Sequence, residues 1–207
     1  MKQRLNKHRN ISILSKNKIK TLIKTALETQ NVPGDMAELG VYNGGSAYII
    51  SENISQKTLH LFDTFAGIPE DDSCVGGHKK GDFSSKLYLV EEYLQGKNVK
   101  FHAGFFPETT KEINTDIQFS FVHVDADIYQ STISAIDYFY PRLAVGGMIL
   151  FDDYEWQKCP GVKKALLERF SPQMIKPCGE HQCVVKKSEA VWNFGKISEM
   201  VNKEVKV

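Results

Sequence analysis

The stretch "IQFSFVHVDADIYQSTISAIDYFYPRLAVGGMILFDD", Ile117 to Asp153, holds two apolar runs separated by a segment of helical periodicity. The runs at 117–124 and 147–151 are nearly continuous in apolar side chains, the pattern of strands buried on both faces. Between them, "YQSTISAIDYFYPRL" repeats its apolar residues at helical spacing. A strand–helix–strand unit of this length joins two parallel strands. Each run also closes on acid, Asp125 and Asp127 after the first, Asp152 and Asp153 after the second. One segment therefore predicts a parallel sheet and a row of carboxylates at its carboxyl edge.

The same alternation continues outward. "MAEL" (36–39), "TLHLF" (58–62) and "VKFHAG" (99–104) read as further strands. Helices are predicted from about Ser46, over "SSKLYLVEEYLQ", briefly over "PETTKEI", and over "GVKKALLERF". Ile19, Leu22, Ile23, Ala26 and Leu27 mark a leading helix that "NVPGD" stops. A late hairpin around Cys178 and Cys183 adds an antiparallel strand at one edge. The fold class is thus α/β, with helices on both faces of a mostly parallel sheet. With no internal repeat or linker, residues 36–190 read as one domain, preceded by a basic segment and leading helix (1–35) and followed by a polar tail (191–207). The turn-rich stretch from Ala66 to Asp82 is long enough to suggest a working loop.

Bulk properties narrow the function. The chain has 207 residues, 42% apolar and 25% charged, enough for one sizeable core. Its net charge of +1 gives no global field for nucleic acid or membrane. Eight Lys/Arg and no acidic residue fall between Met1 and Lys24, which suits a solvated terminus or a surface for an acidic partner. No run reaches the roughly 18 apolar residues of a membrane span, and the N-terminus lacks the apolar stretch of a signal peptide. Four cysteines without a CxxC pair point to a reduced, cytoplasmic protein. "CGEHQC" offers Cys178, His181 and Cys183 as zinc ligands or, given its strand-like flanks, as structural thiols of a hairpin.

"AELGVYNGGS" turns from strand to helix through Gly40, Gly44 and Gly45. Such a turn lets a ligand approach backbone and aims helix N–H groups at it. The spacing is not G-x-G-x-x-G, and Glu38 just before the turn would repel a pyrophosphate. A cofactor carrying positive charge, S-adenosylmethionine, suits that carboxylate better than a nicotinamide dinucleotide. Asp63, closing the second strand in "LFDT", can accept from ribose hydroxyls.

Asp125, Asp152 and Asp153 end two neighbouring strands, about 4.8 Å apart, and so can converge. Clustered carboxylates repel unless a cation joins them. Oxygen-only ligands select Mg²⁺, Mn²⁺ or Ca²⁺. Such a cation lowers the pKa of a bound oxygen, and Asp127 is placed to act as base toward a hydroxyl. His123 is a second candidate, although its place within the strand favours a satisfied core histidine.

"AELGVYNGGSA", "LFDTFAGIPE", "GDFS", "HVDADIYQST", "FYPRLAVGGMILFDDY" and "CPGVKKAL" together resemble the macrocin O-methyltransferase (TylF-type) family, from about Met36 to Arg169. The resemblance implies a Rossmann-like class I methyltransferase fold with a seven-stranded, mostly parallel sheet and an antiparallel edge strand. It implies S-adenosylmethionine as methyl donor and a divalent metal, usually Mg²⁺, on Asp125, Asp152 and Asp153, with Asp127 as base. By the same resemblance the cofactor meets Glu38, the turn Gly40, Tyr42, Asn43, Gly44, Gly45 and Ser46, then Asp63, Thr64, Phe65, Gly104, Phe105 and Asp125. Residues 68–82 would form a lid, the acceptor would be a small-molecule hydroxyl such as that of a sugar on a secondary metabolite, and a homodimer is expected. Set against the family, the part before Met36 looks short, and the resemblance then implies that elements covering the substrate would be reduced or would come from a neighbouring subunit. An amine or macromolecular acceptor, or a non-catalytic metal- or metabolite-binding role on the same fold, are the alternatives.

Overall fold

Seven strands, five expected as parallel strands and two from the late hairpin, form a single mixed sheet in the computed structural model, which describes residues 13–71, 74 and 77–189. In chain order the elements are α1 (Lys16–Glu28), β1 (Asp35–Leu39), α2 (Gly45–Asn53), β2 (Leu59–Asp63), α3 (Leu87–Tyr93), β3 (Val99–Ala103), a 3₁₀ turn (Glu108–Glu112), β4 (Phe119–Val124), α4 (Tyr129–Arg142), β5 (Leu143–Phe151), α5 (Pro160–Arg169), β6 (Lys176–Cys178) and β7 (Gln182–Lys186). The strand order is β3-β2-β1-β4-β5-β7-β6. The first five strands run parallel; β7 lies antiparallel to β5, and β6 to β7. Chain order reverses between β1 and β4, the switch point at which open α/β sheets bind ligands.

β4, the run that opened the sequence reading, is buried at all six residues between β1 and β5. Its faces feed two cores. Phe62, Val122, Phe139, Ile149 and Leu166 pack beneath α4 and α5. Leu22, Ile50, Leu61, Val90, Phe121 and Leu150 pack beneath α1, α2 and α3. β5 begins at Leu143, four residues before the strand expected from sequence, and its pairing with β4 shifts register between Phe119 and Phe121. Pro141 lies in the last turn of α4, and the chain enters β5 directly from Arg142. "FYPRLAVGG" therefore carries the end of a helix and the start of a strand, which periodicity alone does not separate.

Strand pairing places the charged residues. Glu38 sits opposite His123, and His123 opposite Leu150. Alternation along β5 then returns Asp152 to the face that carries Leu150 and His123. Val124 pairs with Phe151, so Asp125 and Asp152 leave the sheet side by side. The basic residues before Ile13 and the tail from Ala190 lie outside the described residues.

Candidate active site

A cavity of about 380 Å³ opens at the carboxyl ends of β1, β2 and β4. One wall is the glycine turn. Gly40 has φ +89°, and a Cβ there would lie 1.9 Å from the carbonyl oxygen of Asp125, so only glycine lets β1 leave the sheet against β4. Asp63 holds the turn in place: its Oδ2 accepts from the N–H groups of Val41 and Tyr42 at 2.7 and 2.8 Å, and its Oδ1 from Phe65 N–H at 2.7 Å. Ser85 Oγ donates to the Tyr42 carbonyl at 2.8 Å. Gly40, Tyr42, Asp63, Thr64, Gly104 and Phe105 line the cavity. Asn43, Gly44, Gly45, Ser46 and Phe65 lie behind or beside that lining: Asn43 is exposed, Gly44, Gly45 and Ser46 start α2, and Phe65 is buried in the core. Glu38 is completely buried under the turn, its Oε1 2.7 Å from His123 Nδ1.

A second wall is acidic. Asp125, Asp127 and Asp153 each present a carboxylate oxygen, all within 4.8 Å of one another. Asp127 (φ +60°) and Asp153 (φ +61°) adopt left-handed backbone, which Asp tolerates better than most residues and which clusters at working sites. Asp152, next in sequence to Asp153, turns the other way. It groups with His123 and Asp125, accepts a hydrogen bond from Gln182 Nε2, and lies 3.5 Å from His123 Nε2, ion-pair range without a hydrogen bond. The three expected metal residues are thus split over two overlapping groups that share Asp125.

A lysine completes this wall. Lys18 Nζ lies 2.6 Å from Asp153 Oδ1 and 3.4 Å from Asp152 Oδ2. Burial works against its ammonium, but the charges of Asp152 and Asp153 outweigh that and hold the amine above the lysine range. His123, fully buried, is likewise penalised by desolvation, and Asp152 and Glu38 raise it well above an ordinary histidine. Asp125 is pushed far up by burial and then by the charges of Asp152, Asp153 and Asp127. Asp127 is pushed up to about 8, by burial first and then by the charge and hydrogen bond of Asp153. Asp152 moves down despite burial, because His123 and Lys18 favour its charge.

Four residues that reach the site were not assigned to it individually from sequence. Lys18 is one of eight basic residues before Ala26, and nothing local separates it from the others. His78, from the turn-rich loop, places Nε2 3.9 Å from Asp127 Oδ1. Glu180 and His181, in the turn between β6 and β7, reach the cavity beside Trp156. Cys178, His181 and Cys183 form no three-ligand group among the described residues, and both thiols are free.

Comparison with known proteins places the family and the fold. The family model described as Macrocin-O-methyltransferase (TylF) matches residues 11–172. The chain is 29% identical over 181 residues to a demethyldecarbamoylnovobiocin O-methyltransferase of Streptomyces niveus, covering 79% of this chain and 68% of the relative. It is 28% identical over 170 residues to an 8-demethyl-8-(2,3-dimethoxy-alpha-L-rhamnosyl)-tetracenomycin-C 4'-O-methyltransferase of Streptomyces olivaceus, covering 73% and 64%. The chain thus spans about two thirds of the length of these curated relatives. Among solved structures, the O-methyltransferase NovP superposes with a TM-score of 0.72 at 21% identity, over 86% of this chain and 83% of NovP, a likeness of fold.

Proposed function

Since the chain belongs to the macrocin-O-methyltransferase (TylF) family, a family of S-adenosylmethionine-dependent O-methyltransferases, we propose that it moves a methyl group from S-adenosylmethionine to a hydroxyl of a glycosylated small molecule, with a divalent cation at the acidic wall. The observation that carries this reading is the meeting of Asp125, Asp127 and Asp153 within 4.8 Å at the cavity that the glycine turn also lines. The fold supplies a pocket of the size small-molecule sites use. An acid-lined cavity also suits the sulfonium and ammonium of the donor. Gly40, Tyr42, Asp63, Thr64, Gly104, Phe105 and Asp125 form the cofactor side. Glu38, Asn43, Gly44, Gly45, Ser46 and Phe65 support that side from behind.

The donor set fits a hard cation. Five carboxylates (Glu38, Asp125, Asp127, Asp152 and Asp153) are gathered around three basic groups, Lys18, His123 and, 3.9 Å from Asp127, His78, so carboxylates outnumber their basic partners. Asp152 Oδ2 is buried without a hydrogen bond. Asp125, Asp152 and Asp153 would hold Mg²⁺ or a similar ion, which would polarise the acceptor oxygen and lower its pKa. Asp127 takes the hydroxyl proton. Burial and the charge of Asp153 raise its affinity for a proton, which strengthens it as an acceptor of that proton once ionised. Lys18 and His123 keep the remaining carboxylates from repelling one another. Ile13, Leu14, Phe83 and Trp156 give the acceptor side apolar surface, and Glu180 and His181 give it polar ends that match a sugar-bearing molecule.

Incubation with methyl-labelled donor and a panel of glycosylated, hydroxylated metabolites tests this reading, with the label followed into product by mass spectrometry. Turnover should require a divalent cation and survive in a Lys24→Met control. Label transfer unaffected by EDTA would remove the cation from the mechanism, and no transfer to any hydroxyl would overturn the assignment.

A further inference from the structure

We infer that Lys18 is the resident counter-ion of the acidic wall, which a divalent cation must displace, so that metal loading and the seating of the first turn of α1 over the cavity form one equilibrium. The inference rests on the cation site proposed above. The Lys18 ammonium touches two of the three residues assigned to that cation, Asp153 at 2.6 Å and Asp152 at 3.4 Å. A second positive ion on the same carboxylates would sit within a few ångströms of the ammonium, where like charges repel strongly at the reduced dielectric of a partly buried site. The two therefore exclude each other.

The helix is built to let only one end go. Leu22 and Ala26, farther along α1, are wholly buried in the core, and Thr25 beside them is nearly so. The leading end is held differently. Ile13 is 67% exposed, Leu14 and Ile19 are only partly buried against the core, and the polar ties include Ser15 Oγ donating to Glu180 Oε2 at 2.7 Å and Lys18 on the two aspartates. Ile13, Leu14, Ser15 and Lys18 together line the cavity. Releasing Lys18 thus frees the cavity-facing turn while Leu22 and Ala26 keep the rest of α1 in place. The crowding of carboxylates at the wall supplies the drive, because the one ammonium sits on Asp152 and Asp153, while Asp127 meets an imidazole, His78, at 3.9 Å.

Calorimetric titration of Mn²⁺ into the wild-type chain, Lys18→Met and Lys24→Met tests the exclusion. Lys24 lies on the same helix, exposed, 3.9 Å from Glu28, and serves as control. Lys18→Met should bind Mn²⁺ about tenfold or more tightly than wild type, as expected for loss of a nearby positive charge, and Lys24→Met should match wild type. Amide hydrogen exchange on the wild-type chain should speed up at residues 15–20 when Mn²⁺ saturates and stay unchanged at residues 22–28. This measurement decides alone if Lys18→Met does not fold. Equal Mn²⁺ affinity in wild type and Lys18→Met, or exchange at residues 15–20 indifferent to Mn²⁺, overturns the inference and leaves the cation site standing. No Mn²⁺ binding by any variant at millimolar concentration overturns both.

Discussion

The two walls of the cavity solve the problem of a carboxylate in a closed space by opposite means. Asp63 accepts three backbone N–H groups, from Val41, Tyr42 and Phe65, so its charge is met by the chain's own amides. Among the described residues, Asp125, Asp127 and Asp153 have no such amide cradle. Their charge is met by Lys18, by protons that Asp125 and Asp127 hold unusually tightly and, in the proposed function, by a metal. The first wall is fixed by geometry and serves to hold a shape. The second is underneutralised and can therefore respond to what binds.

The sharpest way to break this contrast is Asp127→Asn. Loss of the base should lower kcat by about 10²–10⁴-fold, and donor affinity, measured by calorimetry, should stay within twofold. A comparable loss of donor affinity would mean that the acidic wall also holds shape. Asp63→Ala should behave in the reverse manner. Losing a charged acceptor of three amides should cost about 3 kcal/mol of stability in urea unfolding and weaken donor binding. A neutral effect would show the turn to be held by Gly40 and its neighbours alone.

A smaller effect is expected in the pH dependence of stability. Asp127 binds its proton more tightly folded than unfolded, with its pKa raised from 3.8 to about 8. Between these values the folded chain holds more protons than the unfolded one, so this group's contribution to stability is full below pH 3.8 and lost as pH rises through about 8. Metal-free wild type should therefore lose stability from pH 5 to pH 8 more steeply than Asp127→Asn, in denaturant melts at each pH. The smallest effect belongs to a solvated pair that needs neither strategy. Asp137 meets Arg169 at 2.8 and 3.1 Å on the surface, and Arg169→Ala should cost about 0.5 kcal/mol or less.

The parallel strands, both acidic strand ends and the glycine turn were legible because each leaves a local trace: period, breaker, or acid after an apolar run. The division of labour between Asp152 and Asp153 was not. Two adjacent aspartates read alike, and only the left-handed backbone at Asp153 and the pairing of β5 with β7 separate them, turning one to the cavity and the other to Gln182. Lys18 was hidden for a related reason: its partners lie 134 and 135 residues away, and it stands among other basic residues. The early start of β5 was masked because "FYPRLAVGG" satisfies a helical pattern and an extended one in turn. Glu180 and His181 fell within a motif that invited a zinc reading, and its real reach, into the cavity, depends on where the β6–β7 hairpin docks.

Beneath both walls runs the buried row Glu38–His123–Asp152, which crosses from β1 through β4 to the end of β5. Because one imidazole is shared by a residue under the glycine turn and a residue of the acidic cluster, the two halves are not separable modules. Grafting the turn onto another scaffold would strand Glu38 without its imidazolium, and grafting the aspartates alone would strand Asp152. Anyone redesigning this pocket must transplant all three strands or replace the row with apolar side chains throughout.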